Sequence, residues 1–291
     1  MSETTVAAIQ MRMTENPAEN LAHAEALVRE AAAQGANIAL LPELFERPYF
    51  CQERRYEFLE YALPVSENPA VLRMRKVAKE LGVVLPVSFY ERDGNRPYNS
   101  VAMIDADGSL LGVYRKTHIP DDHYYQEKFY FSPGDTGFRV FETHFGRVGA
   151  GICWDQWFPE AARAMALLGA DVLLYPTAIG SEPILNLDSM PHWRRVMQGH
   201  AAANILPVAA ANRVGEERVS PCVENGMQQS ALSFYGSSFL TDETGAVLSQ
   251  GDRENETVLI ARYDFEQIRR ERRNWGLFRD RRPECYAALT R

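Results

Sequence analysis

Cysteine is scarce in this chain of 291 residues, which contains only Cys51, Cys153, Cys222 and Cys285. The four lie far apart and form no Cys-x-x-Cys pair, so a structural zinc site or a redox dithiol has little support. We therefore expect all four thiols to be free and the compartment to be the reducing cytoplasm.

Long apolar runs are also missing from the chain. No stretch approaches the roughly 20 apolar residues that a membrane-spanning helix needs. The first residues, MSETTVAAIQM, lack the basic region and following apolar run of a signal peptide. The sequence therefore predicts neither a membrane protein nor a secreted one.

Positive charge is not in excess, because 31 Lys and Arg residues stand against 39 Asp and Glu residues, a net charge of −8. Nucleic acids and anionic membranes do not attract an acidic surface, so neither is an expected partner. An acidic surface suits a small cationic substrate, although it is also common among soluble proteins. Hydrophobic residues make up 46%, which is sufficient for a sizeable core.

The N-terminal segment predicts a strand–helix–strand unit. Val6–Met11 is a short apolar run, and Asn16 and Pro17 are a typical N-cap and first residue of a helix. Gly35 ends the apolar periodicity of that helix, and Ile38–Leu41 follows as a buried strand.

Similar signals recur along the rest of the chain, and Asp107-Gly108 between two apolar runs is a strong hairpin signal. Interleaved helices, strands and hairpins indicate a layered α/β domain with mixed sheets. The further predicted elements are helices Pro69–Leu81, Pro159–Leu168, His192–Asn204 and Phe265–Arg273, strands Val83–Tyr90, Asp171–Tyr175, Pro207–Ala211 and Thr257–Tyr263, and hairpins of Asn99–Ile104 with Leu110–Arg115, Phe138–Glu142 with Arg147–Ile152, and Phe234–Thr241 with Ala246–Ser249.

No composition break, low-complexity tract or short repeat divides the chain, so we expect a single domain over residues 1–291. Its last segment, Asn274–Arg291, is rich in Arg and carries Trp275, Phe278 and Tyr286. We expect this segment to be an arm that docks on a surface, such as that of a neighbouring subunit.

The segment around Cys153 is the most informative for chemistry. An apolar strand, Arg147–Ile152, ends directly at the cysteine, and a helix is predicted to begin at Pro159. Nearby N–H groups of a helix N-terminus favour a thiolate, so Cys153 is a candidate nucleophile. The alternative is a buried structural cysteine, which is the commoner fate of a single cysteine.

A nucleophilic cysteine needs a base, and histidine is the familiar partner. None of the six histidines lies in a papain-like setting. His118 and His123 bracket Asp121 and Asp122, which could suggest a metal cluster. Their spacing matches no standard ligand pattern, so solvated loop residues are the favoured interpretation.

A carboxylate and a lysine are another way to activate a nucleophilic cysteine. Glu43 follows the buried strand Ile38–Leu41, and Lys116 follows the strand Leu110–Arg115. Open α/β sheets place their sites at such strand ends. An exposed loop Glu and a surface Lys remain the alternatives for each residue alone, but together with Cys153 they form a constellation.

Three strings carry these residues: LLPELF at Leu40–Phe45, YRKTH at Tyr114–His118 and GAGICWD at Gly149–Asp155. They resemble, in the same order, the signature blocks of the nitrilase superfamily of carbon–nitrogen hydrolases. The resemblance implies a four-layer αββα sandwich, with two mixed sheets between outer helices.

The resemblance also implies a catalytic set made of Glu43 as base, Lys116, and Cys153 as nucleophile. A second glutamate of the family, in the loop after the lysine, matches Glu127. This chemistry requires no metal and no cofactor. Arms like the C-terminal segment pack between subunits in this superfamily, so a homo-oligomer is expected.

Four longer strings are similar to family members that act on a small cationic ureido substrate. The similarity implies that Glu182 contacts the distal ammonium of that substrate. Without this similarity, the favoured interpretation of Glu182 would be an exposed loop residue. Tyr49, Tyr125 and Trp154 could form apolar walls, or pack as ordinary core or rim residues, and Asp155 reads as a turn or capping residue. The strings are Phe45–Gln52, Glu127–Asp135, Cys153–Pro159 and Tyr175–Pro183.

Two alternatives remain at this point. Hydrolases of N-carbamoyl amino acids or of β-ureidopropionate act on carboxylates, which call for an Arg or Lys in the pocket, and Glu182 counts against them. A non-catalytic binding or scaffold protein on the same fold predicts a damaged catalytic set, whereas Glu43, Lys116 and Cys153 are all present.

Overall fold

The computed structural model describes residues 3–290, in which strands alternate with α-helices and short 3₁₀ helices. The strands are β1 (Thr4–Gln10), β2 (Ile38–Leu40), β3 (Leu85–Asp93), β4 (Arg96–Ile104), β5 (Leu110–Arg115), β6 (Val140–Thr143), β7 (Gly146–Ala150), β8 (Val172–Thr177), β9 (Val208–Asn212), β10 (Val214–Val219), β11 (Ser230–Tyr235), β12 (Phe239–Thr241), β13 (Val247–Gln250) and β14 (Thr257–Tyr263). The α-helices are α1 (Pro17–Ala33), α2 (Pro69–Leu81), α3 (Pro159–Leu167), α4 (Met190–Asn204) and α5 (Phe265–Trp275).

Helix starts follow local capping chemistry, as predicted. The Asn16 side chain accepts the N–H of Ala18 at the start of α1, and Pro17 occupies the first turn. Asn68 caps α2 in the same way, and Gly82 ends that helix with φ +67°. A left-handed residue at this position favours glycine, so both ends of α2 are determined by neighbouring residues.

One layer of the sandwich is made of two three-stranded sheets, with the orders β14-β1-β2 and β3-β4-β5. Strand β1 pairs antiparallel with β14 and parallel with β2, and β4 lies antiparallel between β3 and β5. The two halves meet at a parallel bridge between Ile38 and Val84. This layer carries the strands that lead to Glu43 and Lys116.

The other layer is one sheet with the order β13-β12-β9-β8-β7-β6. Its central strands β7, β8 and β9 are parallel, whereas its outer pairs are antiparallel. It carries the strand that leads to Cys153. Both layers are therefore mixed, as the sequence predicts.

Alternate residues of the strands face different layers. Val6 and Ala8 of β1 share a buried cluster with Val148 of β7, between the two sheets. Ala7 of β1 faces the other way, into a cluster with α1 and α2. Leu173 of β8 packs with α3 and α4. This period of two places the sheets face to face and the helices outside, which is the predicted αββα sandwich.

The predicted hairpin around Asp242–Gly245 is confirmed by the pairing of β12 with β13, but the single strand Phe234–Thr241 is wrong. The chain instead forms β11 and β12, separated by a turn in which Gly236 and Ser237 have φ of +52° and +55°. Strand β11 pairs with β10 in a hairpin that the sequence did not predict, because VGEERV has charged residues at its centre and lacks an apolar run. The turn then carries the chain into the second sheet.

The C-terminal segment runs across the outside of α3 and α4. Trp275 is 73% exposed, Phe278 packs against the cluster of α3 and α4, and Tyr286 and Leu289 border a groove beside these helices. Arg291, the last residue of the predicted arm, lies outside the described residues. Within residues 3–290, every helix is too short or too polar to cross a bilayer.

Candidate active site

Glu43 lies on a tight turn just after β2. The next residue, Leu44, has φ +48°, and its N–H donates to Ser88 Oγ at 3.0 Å. The N–H of Glu43 donates to Thr177 O of the other sheet at 3.4 Å. The turn is therefore held against both sheets, and the Glu43 side chain is fully buried.

Lys116 joins two buried carboxylates. It follows β5, and its Nζ donates to Glu43 Oε1 at 2.8 Å and to Glu127 Oε2 at 2.6 Å. All three side chains are at most 1% exposed. Asn99 of β4 donates a further hydrogen bond to Glu43 Oε1 at 2.7 Å. The structure thus brings together the three predicted residues Glu43, Lys116 and Glu127.

In this cluster, the single ammonium of Lys116 is hydrogen-bonded to two carboxylates. Burial acts to lower the pKa of Lys116, but Glu127 and Glu43 overcome it and raise that pKa well above its ordinary value. Burial raises the pKa of Glu127 to about 7, and Glu43 adds to the rise while Lys116 opposes it. The lysine therefore stays charged, and Glu127 is the member of the cluster whose raised pKa favours uptake of a proton.

Cys153 faces this cluster from the second sheet. It follows β7 with φ +41° and begins the 3₁₀ helix Cys153–Trp157. Its thiol lies 3.7 Å from Ala178 O. Burial raises the pKa of the thiol, Glu43 raises it further, and Lys116 lowers it. The expected stabilisation of a resting thiolate is wrong, since desolvation and the carboxylate outweigh the favourable charges.

Asp155 holds the turn that presents the thiol. Its Oδ2 accepts the N–H of Ile152 at 2.9 Å and the hydroxyl of Tyr114 at 2.7 Å. Its Oδ1 accepts the N–H of His118 at 3.0 Å and lies 2.8 Å from His118 Nδ1. The ring of His118 also stacks on Phe158 at 3.6 Å. Asp155 is a turn residue, as interpreted, whereas His118 is an ordered part of the turn and not a solvated loop residue.

His123, by contrast, is exposed in the loop beside Asp122. Within residues 3–290, no group of three or more His, Cys, Asp and Glu side chains is arranged to hold a metal ion. The metal interpretation of this loop gains no geometric support.

A cavity of about 360 Å³ opens from the thiol. Tyr125, Trp154 and Glu182 border it, as the sequence predicts, together with Cys153 and Glu127. The remaining lining residues are Pro120, Asp121, Asp122, Trp157, Ala178, Ile179, Leu185, Leu187, Ser189 and His192.

Tyr49 is placed differently from the prediction. It is 1% exposed and does not border the cavity; its hydroxyl donates to Glu127 Oε1 at 2.7 Å. Its ring packs against Tyr125 and Phe234. Tyr49 therefore supports Glu127 from behind, because a buried phenol needs a hydrogen-bond partner and the carboxylate supplies one.

Glu182 lies in the loop after β8, where it pairs with Leu187 across a short turn. Its side chain is partly buried. Burial raises its pKa, and the nearby Asp122 carboxylate raises it further. No Lys or Arg occurs among the described residues that line the cavity, although Arg54, outside the lining, lies 3.8 Å from Asp121. Acidic side chains therefore outnumber basic ones at this end.

The Carbon-nitrogen hydrolase family model matches residues 5–273. The chain belongs to the carbon–nitrogen hydrolase family. This membership confirms the resemblance to the nitrilase superfamily that the three strings carried.

Known carbon–nitrogen hydrolases match nearly the whole chain. It is 55% identical to the N-carbamoylputrescine amidase of Arabidopsis thaliana over 99% of this chain and 95% of the relative. It is 52% identical to the citrullinase of Francisella tularensis over 100% of this chain and 99% of that one. A crystal structure of a carbon–nitrogen hydrolase from Helicobacter pylori G27 matches with TM-score 0.90 and 35% identity, covering 100% and 99% of the two chains.

Sequence reasoning missed several residues that shape the site of this hydrolase. Asn99 touches Glu43 directly, and its only signal was a polar side chain inside an apolar strand. Asp121 and Asp122 were considered only as metal ligands, yet both border the cavity. Arg213 was not singled out, although it contacts the turn of Glu43.

Proposed function

We propose that this carbon–nitrogen hydrolase cleaves N-carbamoylputrescine to putrescine, carbon dioxide and ammonia. The proposal depends mainly on the different groups that lie at the two ends of one cavity. A thiol beside a Glu–Lys–Glu cluster stands at its inner end, and Glu182 with two aspartates stands at its outer end. The high identity to an N-carbamoylputrescine amidase supports the same substrate.

The first half of the reaction forms a covalent intermediate. A ureido carbonyl is a poor electrophile because two nitrogens donate into it, so attack needs a strong nucleophile and a stabilised oxyanion. Glu43 accepts the thiol proton as Cys153 adds to the carbonyl carbon, while Lys116 and the N–H of Trp154 stabilise the developing oxyanion. Glu43 returns the proton to the departing nitrogen, and ammonia leaves.

The second half regenerates the thiol. Glu43 takes a proton from water, which attacks the thioester-like carbonyl, and the proton then returns to the sulfur of Cys153. The released carbamic acid loses carbon dioxide and leaves the free diamine. Glu127 orients Lys116, to which it is hydrogen-bonded at 2.6 Å.

The state of the thiol in the structure is consistent with this sequence of steps. Burial and Glu43 raise the pKa of Cys153, so the resting sulfur carries its proton. The same carboxylate that raises the pKa is then the acceptor of that proton. Glu43 Oε2 has no hydrogen-bond partner among the described residues and is thus available to serve as the acceptor.

Substrate choice depends on the outer end of the cavity. The ammonium of carbamoylputrescine meets Glu182, and Tyr125 and Trp154 flank the four-carbon chain. A substrate with a carboxylate there would face three acidic side chains, Glu182, Asp121 and Asp122. Like charges at a desolvated contact cost binding energy, so anionic ureido compounds are poor substrates.

The 52% identity to a citrullinase favours one second candidate, citrulline, which combines a ureido group with an ammonium and a carboxylate. Ammonia release is measured from carbamoylputrescine, citrulline, β-ureidopropionate and neutral N-butylurea. We expect kcat/KM for carbamoylputrescine to exceed that for N-butylurea about 100-fold or more, because the latter leaves Glu182 unpaired. Faster turnover of β-ureidopropionate or citrulline would overturn the proposal.

The proposal also covers the domain organisation, the cellular compartment and the self-association of the chain. The chain forms one domain over residues 1–291 with a C-terminal arm at about 274–291, in keeping with the family match over residues 5–273. Four free cysteines, one of them a nucleophile, suit the reducing cytoplasm. Copies of the chain associate through the arm and the apolar groove of α3 and α4, which light scattering of the purified protein tests.

A further inference from the structure

Arg213 is among the largest fully buried side chains of the described protein. It lies between β9 and β10, far in sequence from every residue of the catalytic cluster. A guanidinium has five N–H donors in one plane and keeps its charge when it is buried. Each of its five N–H groups therefore needs a hydrogen-bond acceptor, or the side chain loses much of its hydration energy.

All five donors of Arg213 have partners, and four of the bonds go to the turn that carries Glu43. The acceptors are Glu43 O for Nε at 3.2 Å and for Nη2 at 3.0 Å, Leu44 O for Nη2 at 2.6 Å, Arg47 O for Nη1 at 3.0 Å, and Glu217 Oε1 for Nη1 at 2.9 Å.

These carbonyls belong to a bend that needs outside support. Leu44 has φ +48°, a left-handed conformation that L-residues with a side chain rarely adopt. Leu44 O accepts the N–H of Arg47 at 3.3 Å, but no strand of residues 3–290 pairs with this turn. The guanidinium supplies the other donors. The geometry of the turn decides where the Glu43 carboxylate lies.

Glu217 extends the same support to the second carboxylate. Its Oε1 accepts from Arg213, and its Oε2 accepts the backbone N–H of Tyr49 at 2.5 Å. The hydroxyl of Tyr49 donates to Glu127 Oε1, and Glu127 Oε2 accepts from Lys116. A continuous chain of hydrogen bonds and one tyrosine ring thus connects Arg213 to Glu127.

We infer that Arg213 and Glu217 are positioning residues that hold both catalytic carboxylates, Glu43 through its own backbone and Glu127 through Tyr49. Neither residue borders the cavity, so they act through the turn and not on the substrate. The inference rests on the proposed roles of Glu43 and Glu127 as the groups that serve Cys153 and Lys116.

The structure also indicates which substitutions are informative. Lysine keeps the charge of Arg213 but has three donors on one nitrogen, so it cannot reach carbonyls of Glu43, Leu44 and Arg47 together. Glutamine at position 217 has one acceptor oxygen and places an amide N–H₂ against either Arg213 or the Tyr49 N–H. Each variant therefore disrupts the hydrogen bonds of the side chain while it keeps the charge of Arg213 or the size of Glu217.

The experiment compares Arg213→Lys and Glu217→Gln with matched changes in β10, Arg218→Lys and Glu216→Gln, whose side chains are exposed and paired with each other. For each protein, kcat, KM for carbamoylputrescine, the rate of Cys153 alkylation by iodoacetamide and the melting temperature are measured.

We expect Arg213→Lys to lower kcat about 100-fold, because a displacement near 1 Å at a reacting group has an effect of this size. Glu217→Gln should lower kcat about 10-fold, and alkylation of Cys153 should slow in both. KM should stay within about threefold, since the outer end of the cavity is untouched, and the controls should match the parent.

A folded Arg213→Lys protein with kcat and alkylation within twofold of the parent would overturn the inference. If that variant does not fold, Glu217→Gln decides by the same criterion. Failure of both to fold would assign the pair to folding and would also overturn it. If the parent does not turn over carbamoylputrescine but alkylation still slows in the variants, the proposed function fails while the positioning role stands.

Discussion

The two ends of the cavity differ in almost every physical respect. At the inner end, Glu43, Lys116 and Glu127 are at most 1% exposed and linked by short charged hydrogen bonds. At the outer end, Glu182 is only partly buried, and Leu185 and Leu187 of its loop are 63% and 57% exposed. The comparison teaches that the groups proposed for the reaction are held in the buried interior, whereas the groups proposed for substrate choice lie on a surface loop.

The charges of the two ends differ as well. The inner end contains a cation between two anions, while the outer end has carboxylates without a Lys or Arg among the described lining residues. In the proposed reaction, the ureido oxygen, which becomes negative during attack, is stabilised by Lys116. The ammonium is placed at the outer end, so the charges favour one orientation of the proposed substrate.

The largest expected effect concerns the inner end. Cys153→Ala removes the nucleophile, and turnover of carbamoylputrescine should fall by at least about 10⁴-fold, as expected when a covalent catalyst is lost. Circular dichroism and the melting temperature should remain close to the parent. Cys222→Ala, a change at a partly buried thiol outside the cavity, is the matched control and should keep full activity. Near-normal turnover by the Cys153 variant would refute covalent catalysis.

An intermediate effect should follow at the outer end. Glu182→Gln should lower kcat/KM for carbamoylputrescine about 10- to 100-fold, since a partly desolvated charge contact is lost. The rate of Cys153 alkylation should not change, because the inner cluster is untouched. Asp188→Asn removes a charge from the same loop at an exposed ion pair with Arg253 and serves as the control. Equal losses in turnover and alkylation would show that the two ends are not independent.

The smallest expected effect is on the pH dependence of the free energy of unfolding. Burial raises the pKa of Glu127 to about 7, so the folded state binds a proton more readily than the unfolded state. That contribution to stability is complete below the ordinary glutamate pKa near 4.5 and is lost as the pH rises through 7.

Glu127→Gln removes this dependence. Relative to the parent, the variant should therefore gain up to about 3 kcal/mol in free energy of unfolding between pH 4.5 and pH 8. Urea unfolding of both proteins at several pH values measures the difference. Glu142→Gln, on an exposed strand residue, is the control and should give no such gain. A difference between parent and Glu127→Gln that stays constant with pH would contradict the raised pKa.

Local signals predicted the elements well where the deciding residues are adjacent in sequence. The bounds of α2 agree with the prediction because Asn68, Pro69 and Gly82 supply both caps. The prediction failed at 234–241, where a turn with two left-handed residues transfers the chain between sheets. Nothing within a few residues of Gly236 indicated which strands it would join.

The same distinction between local and distant determinants applies to the site residues. Glu43, Lys116 and Cys153 could be found because each follows a strand inside a recognisable string. Tyr49 and His118 were misplaced, because one supports Glu127 across 78 residues and the other binds Asp155 across 37 residues. Such partners come together only when the strands are paired.

The amino-acid sequence by itself determined both ends of α2, the alternation of the strands and the residue types that the chemistry needs, since these depend on neighbours a few positions away. Only the tertiary structure decided that the pKa of the Cys153 thiol is raised and not lowered, that Lys116 lies between two carboxylates and that Arg213 contacts Glu43 from 170 residues away. Desolvation and charge pairing depend on distance in space and on exclusion of water, and the folded sheets alone supply both.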